Sequence, residues 1–147
     1  MSASDKPDFV LETYIKTTPE KLWNALTDGE MTKHYFQGDA SVESSFEVGA
    51  EYLYTSASGD PMLVGEILEA SPYTRLAMTF LPTFMERTEK LSHNLYEIEE
   101  LAEVCKLTIS HFGVTPELAS VSNGWAKIAA RLKSYLETGE TLNLDAA

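Results

Sequence analysis

The hydrophobic pattern near the end of the chain predicts a long amphipathic helix. Apolar residues recur there at alternating spacings of three and four positions, which are Leu118, Val121, Trp125, Ile128, Leu132 and Tyr135. This spacing places one apolar stripe along one face of a helix. The helix is predicted over 116–139, with Thr115 as its N-cap and Gly139 as its C-cap. Because a helix cannot bury such a stripe alone, it must pack against another element.

The preceding part of the chain alternates apolar and polar residues, which is typical of strands. Strands are predicted over 9–16, 41–46, 51–56, 62–70, 75–81, 92–98 and 104–112. Thr18 and Pro19 open a short helix after the first strand, and a second short helix is predicted over 30–35. The stretch 82–91 is compatible with either a loop or a short helix.

This order of elements predicts an α+β fold. A curved antiparallel sheet wraps around the long C-terminal helix, and two short helices follow the first strand. The length of 147 residues suits one domain. We expect that domain to span 9–139, with tails at 1–8 and 140–147.

Composition narrows the classes of partner. The formal net charge of −12 argues against nucleic acid and against anionic membrane surfaces, and its simplest interpretation is solubility. The apolar runs are too short to span a membrane, and the first residues lack the apolar core of a signal peptide. We therefore expect a cytoplasmic protein. Cys105 is the only cysteine, so no internal disulfide can form.

The alternation of side chains along the strands predicts which residues face the helix. The inward residues are Cys105, Leu107, Ile109 and His111 on the last strand, Asn94, Tyr96 and Ile98 on its partner, Leu76, Met78 and Phe80 on the fifth strand, and Tyr52 and Tyr54 on the third. A mainly apolar face with a few polar groups is typical of small-molecule sites. It is equally typical of a core whose polar groups find partners, and the residues alone favour that second interpretation. For Trp125, too, packing is favoured over ligand contact.

Candidate catalytic groups do not assemble in the sequence. His34, His93 and His111 lack the spacing of metal ligands. Ser110 and His111 are neighbours on opposite faces of a strand, so they cannot pair. We predict no metal, no cofactor and no catalytic constellation, and an enzyme is less expected than a binding protein.

Several motifs together resemble the START-like (Bet v-like, polyketide cyclase/dehydrase) superfamily, and within it the branch of activators of heat-shock-protein ATPase. They are Pro19-Glu20-Lys21-Leu22-Trp23-Asn24-Ala25-Leu26-Thr27, Phe46-Glu47-Val48-Gly49-Ala50, Gly65-Glu66-Ile67-Leu68-Glu69, Lys106-Leu107-Thr108-Ile109-Ser110-His111-Phe112-Gly113 and Asn123-Gly124-Trp125. The resemblance implies a helix-grip fold that often keeps a cavity between helix and sheet. Its members bind hydrophobic small molecules, cyclise polyketides or stimulate a chaperone ATPase, so the fold alone does not assign the function.

With that cavity implied, the two interpretations of the inner face become evenly balanced. The first hypothesis is a protein that binds a small, largely hydrophobic ligand, as a monomer or weak homodimer. The candidate ligand-binding residues are Tyr35, Phe36, Tyr52, Tyr54, Met78, Phe80, Asn94, Tyr96, His111, Trp125, Ile128 and Leu132. The second hypothesis is a stress-response module that contacts a chaperone. The third is a cofactor-free cyclase-like enzyme that uses His111 or a tyrosine as acid or base.

Overall fold

The computed structural model describes residues 6–86 and 91–144. Seven strands form one sheet in the order β1-β7-β6-β5-β4-β3-β2, and every neighbouring pair is antiparallel. The strands are β1 (Phe9–Ile15), β2 (Ser41–Glu43), β3 (Glu51–Thr55), β4 (Pro61–Ser71), β5 (Arg75–Pro82), β6 (Ser92–Glu100) and β7 (Cys105–Phe112). The predicted antiparallel sheet is confirmed.

Two short helices follow β1, as predicted. They are α1 (Pro19–Thr27) and α2 (Gly29–Thr32), and a 3-10 turn spans Gln37–Asp39. The Thr18 hydroxyl accepts a hydrogen bond from the backbone N–H of Lys21 at 3.2 Å, so the predicted cap of α1 is present. The buried residues of α1 include Leu22, Trp23 and Leu26, which form the face that the sequence predicts.

The C-terminal helical run extends from Pro116 to Thr138 in three consecutive pieces. They are a 3-10 turn (Pro116–Leu118), α3 (Ala119–Asn123) and α4 (Trp125–Thr138). The helix-grip fold is thereby confirmed. Gly139 ends the run in the left-handed conformation with φ 82°, as a C-cap glycine does. Thr115 occupies the N-cap position of the first turn, as predicted, but its side chain makes no capping hydrogen bond.

The interruption between α3 and α4 lies at Gly124. A Cβ atom there would lie 3.0 Å from Oε1 of Gln37 and 3.0 Å from the Val121 carbonyl oxygen, closer than ordinary van der Waals contact. The absence of a side chain thus lets Gln37 approach the helix where α4 begins. This contact brings the turn after α2 to the helical run.

Two predicted elements are too long. The second strand was expected over 41–46, but β2 ends at Glu43. Phe46 has φ 57°, which an extended strand does not allow. The second short helix was expected over 30–35, and α2 ends at Thr32. The undecided stretch 82–91 begins with the end of β5, and its residues 87–90 lie outside the described residues.

The free edge of β1 is covered by α4 at one end. The Lys133 ammonium donates a hydrogen bond to the Tyr14 carbonyl, and the backbone N–H of Lys16 donates to the Glu137 carboxylate at 2.8 Å. Lys133 and Glu137 also form an ion pair with each other at 2.8 Å. The opposite edge of the sheet is β2, a strand of three residues.

The core lies between the concave face of the sheet and the C-terminal helical run. All the residues predicted to face inward are buried, including Tyr52, Met78, Asn94 and His111. From the helical run, Leu118, Trp125, Ile128 and Leu132 are also buried. The predicted alternation of faces is confirmed.

Candidate functional site

Six rings fill the middle of the space between helix and sheet, and we call them the aromatic cluster. They belong to Phe36, Tyr54, Phe80, Tyr96, His111 and Trp125. The centroid of the Trp125 ring lies 5.7 Å from that of Phe80, 5.9 Å from Tyr96 and 6.0 Å from His111. These distances lie within the range at which aromatic pairs attract. Trp125 therefore joins the helix to three strands.

His111 connects the aromatic cluster to a chain of directed hydrogen bonds. The Trp125 indole N–H donates to Nδ1 of His111 at 3.1 Å, and Nε2 of His111 lies 3.2 Å from the Ser92 hydroxyl oxygen. The Ser92 hydroxyl donates to the Phe80 carbonyl at 2.8 Å. Because indole nitrogen only donates, Nδ1 must be the acceptor, and the ring proton resides on Nε2.

This arrangement keeps His111 neutral. Burial lowers the pKa of the imidazole from 6.5 to about 4, with a smaller contribution from the charge of His93 that Asp8 partly offsets. Protonation would also place a second N–H at Nδ1, facing the indole N–H. Both ring nitrogens are engaged, so neither is available to take a proton from a bound molecule. The imidazole orients the Trp125 ring.

The inner tyrosines are also held in neutral form. The Tyr35 hydroxyl donates to the Ala25 carbonyl at 2.7 Å, and the Tyr52 hydroxyl donates to the Thr79 carbonyl at 2.5 Å. Burial raises the pKa of Tyr35, Tyr52, Tyr54 and Tyr96 above the ordinary value of 10. Phenols with raised pKa values do not ionise near neutral pH.

A cavity of about 210 Å³ opens at one end of the aromatic cluster, and we call it the apolar cleft. It lies between the start of β4, the end of β5, the loop after β5 and the first half of the C-terminal helical run. Its lining consists of Phe36, Gln37, Pro61, Met62, Leu63, Phe80, Pro82, Thr83, Phe84, Val121, Trp125 and Ile128. All but Gln37 and Thr83 carry apolar side chains. Phe84 forms part of the rim and is 72% exposed.

The predicted ligand-binding residues divide between the apolar cleft and the packed core. Phe36, Phe80, Trp125 and Ile128 line the cleft. The other candidates lie in the core outside its lining, and they are Tyr35, Tyr52, Tyr54, Met78, Asn94, Tyr96, His111 and Leu132. Among these, Asn94 has a buried amide nitrogen without a hydrogen-bond partner among the described residues. For the whole set, a role in ligand binding stays a prediction.

The sequence did not single out several residues of the cleft. Pro61, Met62 and Leu63 belong to the start of β4, and Pro82, Thr83 and Phe84 to the end of β5 and its loop. Val121 was assigned only to the apolar stripe. The one available signal was the presence of two large apolar residues, Phe84 and Met85, directly after β5, where a loop usually carries smaller or polar residues.

A polar pocket of about 280 Å³ adjoins the cleft, and we call it the basic pocket. It is lined by Gln37, Gly38, Asp39, Lys127, Ile128, Arg131 and Leu144, so Gln37 and Ile128 belong to both cavities. Arg131 donates from Nη2 to the Asp39 carboxylate at 3.2 Å. Its Nε is buried and has no hydrogen-bond partner among the described residues.

Within 6–86 and 91–144, no three His, Cys, Asp or Glu side chains are grouped so that they could hold a metal ion. In the same residues, no helix has both the length and the apolar character needed to cross a membrane.

Comparisons with known proteins agree with this architecture. A family model described as activator of Hsp90 ATPase homolog 1-like protein matches residues 16–137. A search of curated protein sequences finds no match.

Solved structures share the fold at low sequence identity. DynU16, a protein in the dynemicin biosynthetic locus, is 21% identical to this chain with a TM-score of 0.74. The match covers 90% of this chain and 48% of DynU16, so this chain spans about half the length of that protein. An HSP90 activator from Plasmodium falciparum is 20% identical with a TM-score of 0.72, covering 89% of this chain and 96% of the other. The Aha1 dimer from Colwellia psychrerythraea is also 20% identical, with a TM-score of 0.70 and coverage of 89% and 96%.

Proposed function

The chain belongs to the family of activator of Hsp90 ATPase homolog 1-like proteins, and from that premise we propose that it binds a small, largely apolar molecule in the apolar cleft. The observation that carries the proposal is the cleft itself, a concave apolar lining that reaches the Trp125 ring. Small-molecule sites are typically such cavities with few polar groups. Gln37 and Thr83 supply the polar side chains here.

The size of the cleft sets the size of the ligand. An apolar cavity of about 150 Å³ suffices for a benzene ring, and the cleft measures about 210 Å³. A molecule with a single ring, with two fused rings or with a short branched hydrocarbon chain fits this volume. For a ligand of about twelve non-hydrogen atoms we expect a dissociation constant on the order of 10–100 µM.

The exposed Phe84 at the rim of the apolar cleft is expected to contribute to the affinity for the ligand. An exposed phenyl ring at the rim of an apolar cavity gains burial when a ligand arrives, which contributes about 25 cal/mol for each Å² removed from water. The aromatic cluster behind the cleft is packed and hydrogen-bonded, so we expect the ligand to contact the Trp125 ring without displacing it.

The test uses an uncharged bicyclic probe, 2-naphthalenemethanol, followed by the NMR signals of the two indole N–H groups. The Trp125 signal should shift on titration and the Trp23 signal should not, because only Trp125 lines the cleft. Val121→Phe places a ring in the cleft and should abolish binding. Val48→Phe is the matched control, since Val48 is 67% exposed on a turn away from the cleft. Binding that survives in Val121→Phe, or no binding to the wild type, would refute the proposal.

A second candidate function is favoured by family membership alone. If the apolar cleft binds no ligand, we propose instead that the chain contacts a chaperone and raises its ATPase rate. The names of the family and of the Plasmodium falciparum protein suggest this function. The measurement is the ATPase rate of a purified chaperone with and without this protein. An unchanged rate and no co-sedimentation would count against this function.

A further inference from the structure

We propose that the ligand of the apolar cleft is an anionic amphiphile, whose carboxylate binds to Lys127 and Arg131 in the basic pocket. This inference rests on the proposed function and adds the chemical class of the ligand.

The first support is the position of the two cavities. The apolar cleft and the basic pocket share Gln37 and Ile128 in their linings. Along α4, Trp125 and Ile128 face the cleft, while Lys127 and Arg131 line the basic pocket within one further turn. Gly124 lets Gln37 lie against this part of the helix. The two cavities therefore meet at Gln37 and Ile128, and the proposed ligand lies across this junction with its carboxylate end on the side of the two cations.

The second support is the unbalanced charge of the basic pocket. The chain has a formal net charge of −12, yet Lys127 and Arg131 lie four positions apart on one helix, a like-charge spacing that slightly destabilises helices. Lys127 is exposed and forms no ion pair with the described residues, and Asp39 is the carboxylate that Arg131 contacts. By contrast, Arg75 contacts two carboxylates, those of Glu69 and Glu97.

The third support is the unused donor of Arg131. Its Nη2 reaches Asp39, while the buried Nε has no hydrogen-bond partner among the described residues. Guanidinium groups bind carboxylates best through two parallel N–H donors. A buried polar group without a partner costs stability, so the guanidinium of Arg131 retains hydrogen-bonding capacity beyond its contact with Asp39. Among the described residues of the basic pocket, Asp39 offsets one of the two cations, so these residues suit a ligand with a single negative charge.

The test compares two probes that share a naphthalene ring and differ in the substituent at one position. 2-Naphthoate carries a carboxylate where 2-naphthalenemethanol carries a hydroxymethyl group. Both are titrated into the wild type and into Lys127→Gln, Arg131→Gln and Lys133→Gln. Lys133 is the matched control, because it is a cation on the same helix that lines neither cavity and pairs with Glu137. Lys127→Gln alters an exposed side chain, so this variant should fold even if Arg131→Gln does not.

We expect the wild type to bind the naphthoate about tenfold more tightly than the alcohol, because charge-assisted hydrogen bonds are the strong ones. Lys127→Gln and Arg131→Gln should each weaken naphthoate binding about threefold or more and leave the alcohol unchanged. Lys133→Gln should change neither. Equal binding of the two probes, or equal losses for both probes in the variants, would overturn the anionic class and leave the proposed function standing. If neither probe binds, the proposed function fails and this inference with it.

Discussion

The burial of the His111 imidazole predicts a specific loss of stability in mild acid. The folded protein holds His111 neutral with a pKa of about 4, whereas an unfolded histidine titrates at about 6.5. Between these two pH values, His111 is protonated in the unfolded chain and neutral in the folded chain. The contribution of His111 is therefore fully present above pH 6.5, is lost as the pH falls toward 4, and changes no further below that.

The magnitude follows from the size of the pKa shift. The complete loss amounts to about 3 kcal/mol, and about 2 kcal/mol of it falls between pH 7 and pH 5. That is a large share of the stability of a typical domain, about 5–15 kcal/mol. The carboxylates of the chain also titrate in acid, so the contribution of the histidine must be isolated by a variant.

The assay is urea unfolding at pH 7, 6 and 5 for the wild type, His111→Gln and His34→Gln. Glutamine keeps one donor and one acceptor but does not titrate, and the exposed His34 serves as the matched control. We expect the free energy of unfolding of the wild type to fall by about 2 kcal/mol more than that of His111→Gln between pH 7 and pH 5. His34→Gln should follow the wild type. Parallel curves for the wild type and His111→Gln would refute this reasoning about the buried imidazole.

Three further predictions test the cleft and the packing. Phe84→Ala should weaken binding of 2-naphthalenemethanol about threefold in titration calorimetry and change the free energy of unfolding in urea by less than about 0.5 kcal/mol. The control is Val48→Ala, at another exposed site, which should change neither quantity. Gly65→Ala should destabilise the fold by about 2 kcal/mol or more in urea unfolding, because its Cβ would lie 2.3 Å from the Thr79 carbonyl oxygen; a near-neutral result would mean that β4 and β5 shift easily. Leu132→Ala should cost about 2–5 kcal/mol in the same assay, and a loss below 1 kcal/mol would contradict its placement in the core.

The architecture could be predicted from the sequence because its signals are periodic. Alternation along the strands placed His111, Asn94 and Tyr96 on the inner face, and the spacing of Leu118 to Leu132 placed the helical stripe against it. These periods depend on backbone geometry alone. Phe46 shows where this reasoning stops, since its apolar side chain continues the strand pattern although β2 ends at Glu43 and Phe46 itself has a positive φ.

The site could be predicted only in part, because cavities arise from what packing leaves unfilled. The alternation of side chains along the strands places Tyr52, Tyr54 and Phe80 on the same face, but it does not show which of these side chains fill the interior. In the structure Tyr54 stacks on Phe36 with ring centroids 4.1 Å apart. These rings occupy the centre of the space between the helix and the sheet, and the cleft opens at one end of it. The rim residue Phe84 lies in a loop, where neither period applies.

The ion pair of Lys133 and Glu137 at one end of β1 bears on how this protein behaves at high concentration. Lys133 and Glu137 present one donor and one acceptor to Tyr14 and Lys16, which matches the hydrogen bonds that a single residue of an added parallel strand would make. A charged pair in that place blocks templated growth of the sheet from one molecule to the next. We therefore expect Lys133→Ala combined with Glu137→Ala to shorten the lag time of fibril formation on heating, as thioflavin T fluorescence would record.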